Sequence, residues 1–373
     1  MARTLLVTND FPPTIGGIQS YLRDFLATLD PESVVVFAST QDAEAARLYD
    51  ASQPHRVIRW PRRVMLPTPD TAREMQRIIR EHSIDTVWFG AAAPLALMAP
   101  QARAAGARRV IATTHGHEVG WSMLPGARQA LRRIGDNADY VTYISQYTLG
   151  RLRRAFGPHP RWVHLPSAVN LEDFSPASAA QKQAARQHFG LGEGPVVVCI
   201  SRFVPRKGQD QLLRAFPAVR RRFPDAQLLL IGRGRYEATL RELARLYCPD
   251  ALIREARDTA ELRQALHAAD VFAMPARTRG GGLDVEGLGI VYLEAQAAGL
   301  PVIAGDSGGA PETVTAETGV VVRGGSVHEL EAALVELLGD KARARALGEA
   351  GRRHVEENWT WEIMGRRLRE LLG

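Results

Sequence analysis

Cysteine and lysine are both scarce in this chain, and each shortage limits the kinds of protein that it can be. The two cysteines, Cys199 and Cys248, stand among apolar neighbours. We therefore expect buried free thiols and neither a disulfide framework nor a cysteine-based metal site. Only three of the 47 basic residues are lysines, so the place of each lysine is informative.

Long hydrophobic runs are missing as well. The longest apolar stretch, residues 90–100, is about half of what a bilayer-spanning helix needs. The first residues enter a strand pattern directly, without the layout of a signal peptide. These features predict a cytoplasmic protein, and the lack of fixed-period repeats or low-complexity tracts argues against a solenoid or a disordered chain.

The charges are unevenly distributed. The net charge of +6 divides at about residue 165: residues 1–165 hold 20 arginines and 14 acids, which leaves 27 basic and 27 acidic residues in 166–373. A basic first half indicates an anionic partner. Signatures of nucleic-acid recognition are missing, so we expect an acidic small molecule or an anionic membrane surface and no nucleic acid.

Short β-branched runs alternate with amphipathic segments of helix length. This alternation predicts an α/β protein with parallel sheets and crossover helices. The predicted strands are Thr4–Thr8, Val34–Phe37, Thr86–Phe89, Arg109–Thr113, Tyr140–Ile144, Pro195–Ile200, Gln227–Ile231, Val271–Met274 and Pro301–Ala304.

An aperiodic segment with a proline near each end, 165–176, divides this pattern and is the predicted interdomain linker. We assign residues 1–167 to the first domain and 168–358 to the second. Residues 359–373 form a predicted C-terminal helix. We expect this helix to return to the first domain, because the tryptophans at its start need a large surface to bury.

A glycine pair, Gly16 and Gly17, follows the first predicted strand and opens a helix. Such a turn lets backbone N–H groups approach a phosphate at a helix N-terminus, although an ordinary tight turn has the same pattern. The turn lacks G-x-G-x-x-G, and no ribose-binding acid follows about 20 residues on, which argues against a nicotinamide dehydrogenase.

Two cations follow the strand that ends at Ile200, within the sequence SRFVPRKG of residues 201–208. Arg202 and Lys207 thus lie at the carboxyl end of a parallel strand, where open α/β sheets bind ligands. A compact ammonium suits a diphosphate. A solvated surface charge is the alternative interpretation.

Two carboxylates eight residues apart, Glu286 and Glu294, span a loop-to-helix junction. Between them the N–H groups of Gly289, Ile290 and Val291 form a predicted helix N-terminus that attracts phosphate. Carboxylates beside an anion site suit sugar or ribose hydroxyls, although a capping role for one of them is an alternative.

The sequence HGHE of residues 115–118 follows the strand Arg109–Thr113. Its spacing resembles half of a metal site, but no further histidine or cysteine cluster completes it and the chain has no D-x-D. The segment most similar to a D-x-D motif is Asp284-Val285-Glu286, and we interpret its two carboxylates as sugar-binding. We therefore expect neither a metal nor any other cofactor.

Taken together over the whole chain, these elements resemble family 4 of the retaining glycosyltransferases, with two Rossmann-like domains facing each other across a cleft in the GT-B arrangement. More narrowly, the chain is similar to the GDP-mannose-dependent phosphatidylinositol monomannoside α-1,6-mannosyltransferases. The segments that carry this similarity are residues 8–13, 88–94, 114–121 and 277–280.

The resemblance implies an acceptor-binding first domain and a nucleotide-sugar-binding second domain. Arg202 and Lys207 would neutralise the diphosphate, Glu294 would hold the ribose, and Glu286 the sugar hydroxyls. The other implied residues are Gly16, Gly17 and Arg257 for the donor, His115 for the transferred sugar with His117 as second choice, and Gln19 with His117 for the acceptor. The implied reaction is α-1,6 transfer of mannose from GDP-mannose to the inositol of a phosphatidylinositol mannoside.

The chain departs from the family pattern at Ser201, Ala168 and Asn170, and residues 251–257 lack the glycine expected after their strand. This last segment usually frames the base, so the guanine assignment is the least supported. Three alternatives stay open: another donor with a soluble acceptor, a nucleotide-sugar epimerase or hydrolase, and a non-catalytic binding module.

Arginines flank an apolar segment at residues 59–67, where Arg62 and Arg63 precede Val64, Met65 and Leu66. One interpretation is a tip that enters the headgroup layer of an anionic membrane while Arg62 and Arg63 meet phosphates. Peripheral attachment to the inner face of the cell membrane would follow, with Met65 in contact with lipid. An ordinary loop with Met65 and Leu66 packed into the domain is the alternative.

Overall fold

The computed structural model describes residues 3–373, which fold into two compact units. Unit 1 contains the chain up to Ser167 together with Trp361–Gly373, and unit 2 is Ala168–Thr360. The second crossing between the units thus lies two residues beyond the predicted position.

Unit 1 is built on seven strands, which are β1 (Thr4–Thr8), β2 (Val34–Ser39), β3 (Arg56–Trp60), β4 (Thr86–Phe89), β5 (Arg109–Thr113), β6 (Tyr140–Tyr143) and β7 (Arg161–His164). All pairings are parallel, in the order β3-β2-β1-β4-β5-β6-β7. Leu5 lies opposite both Val35 and Val87. The connecting helices are α1 (Gly17–Leu26), α2 (Ala43–Ala51), α3 (Pro69–Glu81), α4 (Ala99–Ala104), α5 (Glu118–Met123), α6 (Pro125–Asn137) and α7 (Gln146–Phe156).

Unit 2 repeats the scheme with six strands, β8 (Val196–Ile200), β9 (Gln227–Ile231), β10 (Leu252–Arg254), β11 (Val271–Met274), β12 (Val302–Gly305) and β13 (Gly319–Val322). They are parallel in the order β10-β9-β8-β11-β12-β13. The remaining helices are α8 (Ala179–Phe189), α9 (Gln209–Arg222), α10 (Glu237–Tyr247), α11 (Thr259–Ala268), α12 (Ile290–Ala297), α13 (Val327–Gly339), α14 (Lys341–Asn358) and α15 (Trp361–Leu372). Short 3-10 turns occur at Pro31–Ser33, Leu95–Met98, Pro205–Lys207, Gly280–Gly282 and Ala310–Thr313.

The predicted α/β class with two parallel, Rossmann-like sheets is confirmed. In both sheets the first strand lies in the interior of the sheet. The next two strands extend to one side of it and the later strands to the other, as in doubly wound folds. The central strands are buried along their whole length, because helices cover both faces of such sheets. Their carboxyl ends form the edge at which ligands are expected.

Helix α15 belongs to unit 1 and packs against α1. The ring of Trp361 meets that of Phe25 edge-on at 5.1 Å, and a Cβ at Gly365 would come within 2.7 Å of Thr28 Cβ. The end of α15 is tied to the sheet, since Thr86 Oγ1 donates to the carbonyl of Leu372 at 3.0 Å.

Both cysteines are buried free thiols, as predicted. Within residues 3–373, no helix combines the length and apolar character that a membrane crossing requires.

Candidate active site

The loop after β8 is shaped so that its cations stay at the sheet edge. Phe203 is fully buried beneath it, and Gln209 Nε2 donates to the carbonyl of Arg202 at 3.0 Å. Gly208 has φ +79°, and a Cβ there would lie 2.1 Å from the carbonyl oxygen of Pro275. Glycine is therefore required where the loop turns into α9.

Lys207 and Glu286, predicted on separate motifs, are brought into contact. Lys207 Nζ lies 2.5 Å from Glu286 Oε2, and the two side chains are 10% and 9% exposed. Lys207 is therefore a buried cation, which rules out for this residue the alternative interpretation as a solvated surface charge. The exposed side chain is that of Arg202, and its guanidinium makes no hydrogen bond or ion pair with any described residue.

Arg206 is a third cation of this group, and the sequence analysis assigned it no role. Its guanidinium is 3.3 Å from Asp284 Oδ1 and 3.8 Å from Glu286 Oε2. Arg206 Nε is buried without a hydrogen-bond partner among the described residues, whereas Glu286 Oε2 is occupied by its contact with Lys207 Nζ. The unpartnered Arg206 Nε favours a polar ligand that supplies the partner.

Glu286 is held in place through its backbone. Its N–H donates to Ser307 Oγ at 3.1 Å, and its carbonyl accepts from Gly309 N at 2.9 Å. Gly308 has φ +56°, and a Cβ there would lie 2.0 Å from that carbonyl. The turn after β12 thus positions Glu286, a role that the sequence analysis did not assign to it.

The charges around Glu286 keep it ionised. Burial by itself would raise the pKa of this carboxyl, but the attraction and contact of Lys207, followed by Arg206 and Arg202, outweigh it and lower the pKa. The site therefore holds a fixed carboxylate surrounded by three cations.

Helix α12 begins beside this group with an open N-terminus. Gly289, with φ +87°, is its N-cap and provides no side-chain cap, so the N–H groups of Gly289, Ile290 and Val291 remain available to an anion. One turn further on, burial raises the pKa of Glu294 to about 7. Its carboxyl has no hydrogen-bond partner among the described residues, which leaves it available to a hydroxyl.

Unit 1 carries its own polar cluster after β5. His115 Nε2 is 2.7 Å from the carbonyl oxygen of Gly90. A carbonyl only accepts, so Nε2 carries the proton and Nδ1 is an acceptor. Tyr21 meets the ring edge-on at 4.9 Å, and burial lowers the pKa of His115, which keeps the imidazole neutral.

Glu118 lies beneath this histidine and is fully buried. Its Oε2 accepts from the N–H groups of His115 and Gly116, both at 3.1 Å, and its Oε1 is 3.3 Å from His117 Nε2. Glu118 thus fixes the HGHE turn, a role that the sequence analysis missed. His117 is exposed, and its ring is nearly parallel to that of His115 at 6.3 Å.

The glycine pair opens α1 as predicted. Gly16 is the N-cap in an extended conformation without a side-chain cap, and a Cβ at Gly17 would meet nothing within 4 Å. Gln19, on the first turn, donates from Nε2 to Asp10 Oδ1 at 3.1 Å. The first turn of α1 thus lacks a side-chain cap; the space beside Gly17 is open, and Gln19 Oε1 fills that beside Gly16.

Met65 corrects the predicted membrane tip. It is fully buried in the core of unit 1, and Asn9 clamps it: Met65 N donates to Oδ1 at 2.6 Å and its carbonyl accepts from Nδ2 at 2.9 Å. Met65 therefore cannot contact lipid. Its neighbours Val64 and Leu66 are 57% and 54% exposed.

Arg257 pairs with a residue outside the group that Lys207 and Arg206 form with Glu286. It lies beyond β10, at the outer edge of its sheet, and its Nε pairs with Glu261 Oε2 at 3.1 Å. No contact among the described residues joins it to Lys207 or Glu286, so its assignment to the donor stays a prediction.

Two Rossmann-like units, one with a cationic loop and a carboxylate pair at a helix N-terminus, define a GT-B glycosyltransferase. The family described as "Glycosyltransferase Family 4" matches residues 15–173, and "Glycosyl transferases group 1" matches residues 181–354. Solved structures agree on the fold. Sucrose-phosphate synthase from Thermosynechococcus elongatus covers 99% of this chain and 98% of its own, with TM-score 0.79 at 24% identity. Anabaena HepE in complex with UDP and glucose covers 100% and 99%, with TM-score 0.80 at 19% identity.

Curated relatives narrow the class. The chain is 62% identical to the GDP-mannose-dependent monoacylated alpha-(1-6)-phosphatidylinositol monomannoside mannosyltransferase of Corynebacterium glutamicum, over 99% of this chain and 97% of the relative. It is 54% identical to the GDP-mannose-dependent alpha-(1-6)-phosphatidylinositol monomannoside mannosyltransferase of Mycolicibacterium smegmatis, over 99% and 97%. The chain belongs to glycosyltransferase family 4 and, within it, to the family of these mannosyltransferases.

Proposed function

We propose that this enzyme transfers mannose from GDP-mannose to a phosphatidylinositol monomannoside lipid. The whole-length identity of 62% to a mannosyltransferase of that specificity supports both substrates. The observation that carries the proposal is the buried contact of Lys207 with Glu286 beside the open N-terminus of α12. This arrangement combines cations for a diphosphate with a carboxylate for sugar hydroxyls.

The diphosphate would be held by cations of two kinds. Arg202 is exposed and without an ion-pair partner among the described residues, so its planar guanidinium is available to phosphate oxygens. Lys207 is buried and fixed, and the N–H groups at the start of α12 add a partial positive charge. Together they would stabilise the negative charge that grows on the diphosphate as it departs.

The carboxylates would hold hydroxyl groups. Glu286 is ionised. Lys207 contacts its Oε2, and its Oε1 accepts no hydrogen bond from a described residue, which suits a mannose hydroxyl. Glu294 is half-way between its two protonation states near pH 7 and would bind the ribose. His115 offers Nδ1 as an acceptor for a hydroxyl of the transferred sugar, and Gln19 and His117 are assigned to the acceptor.

We propose that transfer proceeds on the front face with retention and without a metal. The acceptor hydroxyl oxygen forms a bond to the anomeric carbon while the bond from that carbon to the diphosphate oxygen breaks. The proton of the acceptor hydroxyl passes to the departing diphosphate oxygen, which yields GDP and the mannosylated lipid. Positioning and electrostatic stabilisation would supply most of the rate enhancement.

A peripheral contact with an anionic membrane would bring the lipid to the enzyme. Arg62, Arg63, Val64 and Leu66, here named the basic tip, are all exposed. Neither arginine side chain forms an ion pair or hydrogen bond with a described residue. Cations beside exposed apolar side chains are what a protein needs to dock on anionic headgroups, so we place the enzyme at the inner face of the membrane.

The experiment incubates the purified protein with GDP-mannose and phosphatidylinositol monomannoside in detergent micelles, with UDP-glucose as the control donor. We expect a product with one added mannose in the α configuration by NMR, and equal activity in EDTA. A β-linked product would overturn retention, and loss of activity in EDTA restored by magnesium would overturn metal independence. Rapid consumption of donor without acceptor would indicate a hydrolase or epimerase instead.

A further inference from the structure

The backbone that directly follows β11, residues 275–278, is here named the bridging segment. A Cβ at Gly305 would lie 2.0 Å from the carbonyl oxygen of Ala276, and a Cβ at Gly324 would lie 2.2 Å from the same atom. The backbones that carry these two glycines therefore pack directly against the bridging segment. Such close packing leaves the segment little room to move.

The bridging segment is bonded to both sides of the contact between the buried lysine and its carboxylate. Arg277 N donates at 2.8 Å to the carbonyl of Arg206, which directly precedes the lysine. On the other side, the hydroxyl oxygens of Thr278 and Ser307 are 3.3 Å apart, and Ser307 Oγ accepts from Glu286 N. A shift of the segment would therefore change the distance between the lysine and the carboxylate.

The side chain of Arg277 fixes the bridging segment to helix α9. Its Nη2 lies 2.8 Å from Asp210 Oδ2, and the two side chains are 18% and 8% exposed. Asp210 stands in the first turn of α9, where the helix dipole favours a carboxylate. Its Oδ2 also accepts from Gln211 Nε2 at 3.4 Å. Among the described residues, Arg277 is the cation that pairs with this buried carboxylate.

We propose that Asp210 and Arg277 form a positioning pair, which sets the distance between Lys207 and Glu286 and contacts no substrate itself. The inference rests on the proposed function, in which Lys207 acts on the departing diphosphate. The ion pair fixes Arg277 to α9, and Arg277 N in turn fixes the loop that carries Lys207. A misplacement of about 1 Å at a reacting group can lower the rate about 100-fold, so a pair that touches no substrate can limit kcat.

The test compares Asp210→Asn and Arg277→Gln with a matched control at the other end of β11. Asp210→Asn keeps the size of the side chain and removes the charge that strengthens its hydrogen bond with Arg277. The control is Asp270→Asn, directly before β11, where Asp270 Oδ2 lies 2.8 Å from Arg186 Nη2. This variant removes the same charge from an ion pair of the same length, at the amino end of the strand and away from the bridging segment.

We expect Asp210→Asn and Arg277→Gln each to lower kcat about 10–100-fold. The double variant should be no slower than the slower single variant, because the two residues act as one unit. The Kd of GDP should stay near that of the wild type, since the lost positioning acts mainly in the transition state. Asp270→Asn should lower the melting temperature and leave kcat per GDP-binding site unchanged.

Three results would overturn the positioning role. One is kcat like that of the wild type in both single variants. Another is an equal fall of kcat in Asp270→Asn, which would indicate a general structural effect. The third is a much larger loss in Arg277→Gln than in Asp210→Asn, together with weaker GDP binding, because Arg277 would then contact the donor directly.

Unfolding measurements separate this inference from the proposed function, because they need no substrate. If Asp210 sets the contact of Lys207 with Glu286, Lys207→Ala should lower the free energy of unfolding less in the Asp210→Asn background than in the wild type. An equal loss in both backgrounds would overturn the positioning role. A smaller loss in that background, together with a wild type that transfers no mannose, would support the positioning pair and overturn the proposed function.

Discussion

Lys207 Nζ lies 2.5 Å from Glu286 Oε2, within a part of unit 2 where neither side chain is more than 10% exposed. Each of these groups neutralises the other in the protein without substrate. Binding of a diphosphate and a sugar would give each a second partner, so the pair joins the recognition of both halves of the donor.

Lys207→Ala should lower both turnover and stability. Loss of one positioned charged donor lowers kcat by about 10²–10³-fold. Removal of one partner from a buried pair costs about 3–5 kcal/mol, because Glu286 keeps its charge with only the more distant Arg206 and Arg202 near it. Steady-state kinetics and urea denaturation measure the two effects.

The double variant Lys207→Ala/Glu286→Gln separates these effects. The neutral amide needs no cation, so we expect most of the lost unfolding free energy to return while kcat stays low. Kinetics of Lys207→Ala like those of the wild type would remove Lys207 from the catalytic group.

Glu118→Ala should disturb the HGHE turn, because the N–H groups of His115 and Gly116 then lose their acceptor. We expect kcat to fall roughly 10–100-fold, as when a partner that orients an active-site histidine is removed. The Kd of GDP should stay unchanged, because Arg202, Lys207 and Glu294, which are proposed to hold the diphosphate and the ribose, all lie in unit 2.

Glu118→Gln is the conservative comparison, since its amide oxygen still accepts from the same backbone groups. It should recover most of the activity, and calorimetry with GDP provides the control. An equal loss in both variants, together with weaker GDP binding, would indicate a general structural effect and contradict a positioning role.

The sequence predicted the interior of both sheets and missed their edges. The four strands absent from those predicted by the alternating pattern, β3, β7, β10 and β13, are the outer strands of their sheets, and of these only β10, within residues 251–257, was implied by the resemblance. An outer strand is only partly buried, so β3 carries arginine at both its first and fourth positions, Arg56 and Arg59, and lacks the continuous apolar run that marks a central strand. This is why the first residues of segment 59–67 were interpreted as a loop.

The site shows a similar division. Motifs identified Lys207 and Glu286 separately, because each is marked by its place at a strand end or helix start. Their mutual contact could not be predicted, since it joins residues 79 positions apart in the chain. The contact of Ser307 with Glu286 and that of Asn9 with Met65, 56 residues away, could not be predicted for the same reason. An apolar residue between arginines gives the same sequence pattern whether it faces the core or the solvent.

Glu294 should make the stability of the donor-free enzyme depend on pH. Burial raises its pKa from 4.5 to about 7, so between these values the folded state binds a proton that the unfolded state has released. Stability is therefore lost as pH rises through this window, by roughly 2–3 kcal/mol. Urea denaturation at pH 5 and pH 8 measures the change.

Glu294→Gln is the matched control, because its amide does not titrate. The fall in unfolding free energy from pH 5 to pH 8 should be smaller in this variant than in the wild type. An identical fall in both proteins would show that the Glu294 carboxyl titrates near its ordinary pKa, with no cost for its burial.

Arg62→Glu/Arg63→Glu should abolish binding to anionic vesicles. The two arginines are exposed beside Val64 and Leu66, and each cation near an anionic surface contributes about 1 kcal/mol. Charge reversal replaces this attraction with repulsion.

The matched control is Arg56→Glu/Arg108→Glu, which makes the same change of charge at exposed positions near the amino ends of β3 and β5. In sedimentation with phosphatidylinositol-containing vesicles at low salt, we expect wild type and control to pellet and the tip variant to stay in solution. High salt should release the wild type and the control, because ions screen the attraction. Equal sedimentation of both variants, or binding that salt does not weaken, would show that the basic tip does not dock the enzyme.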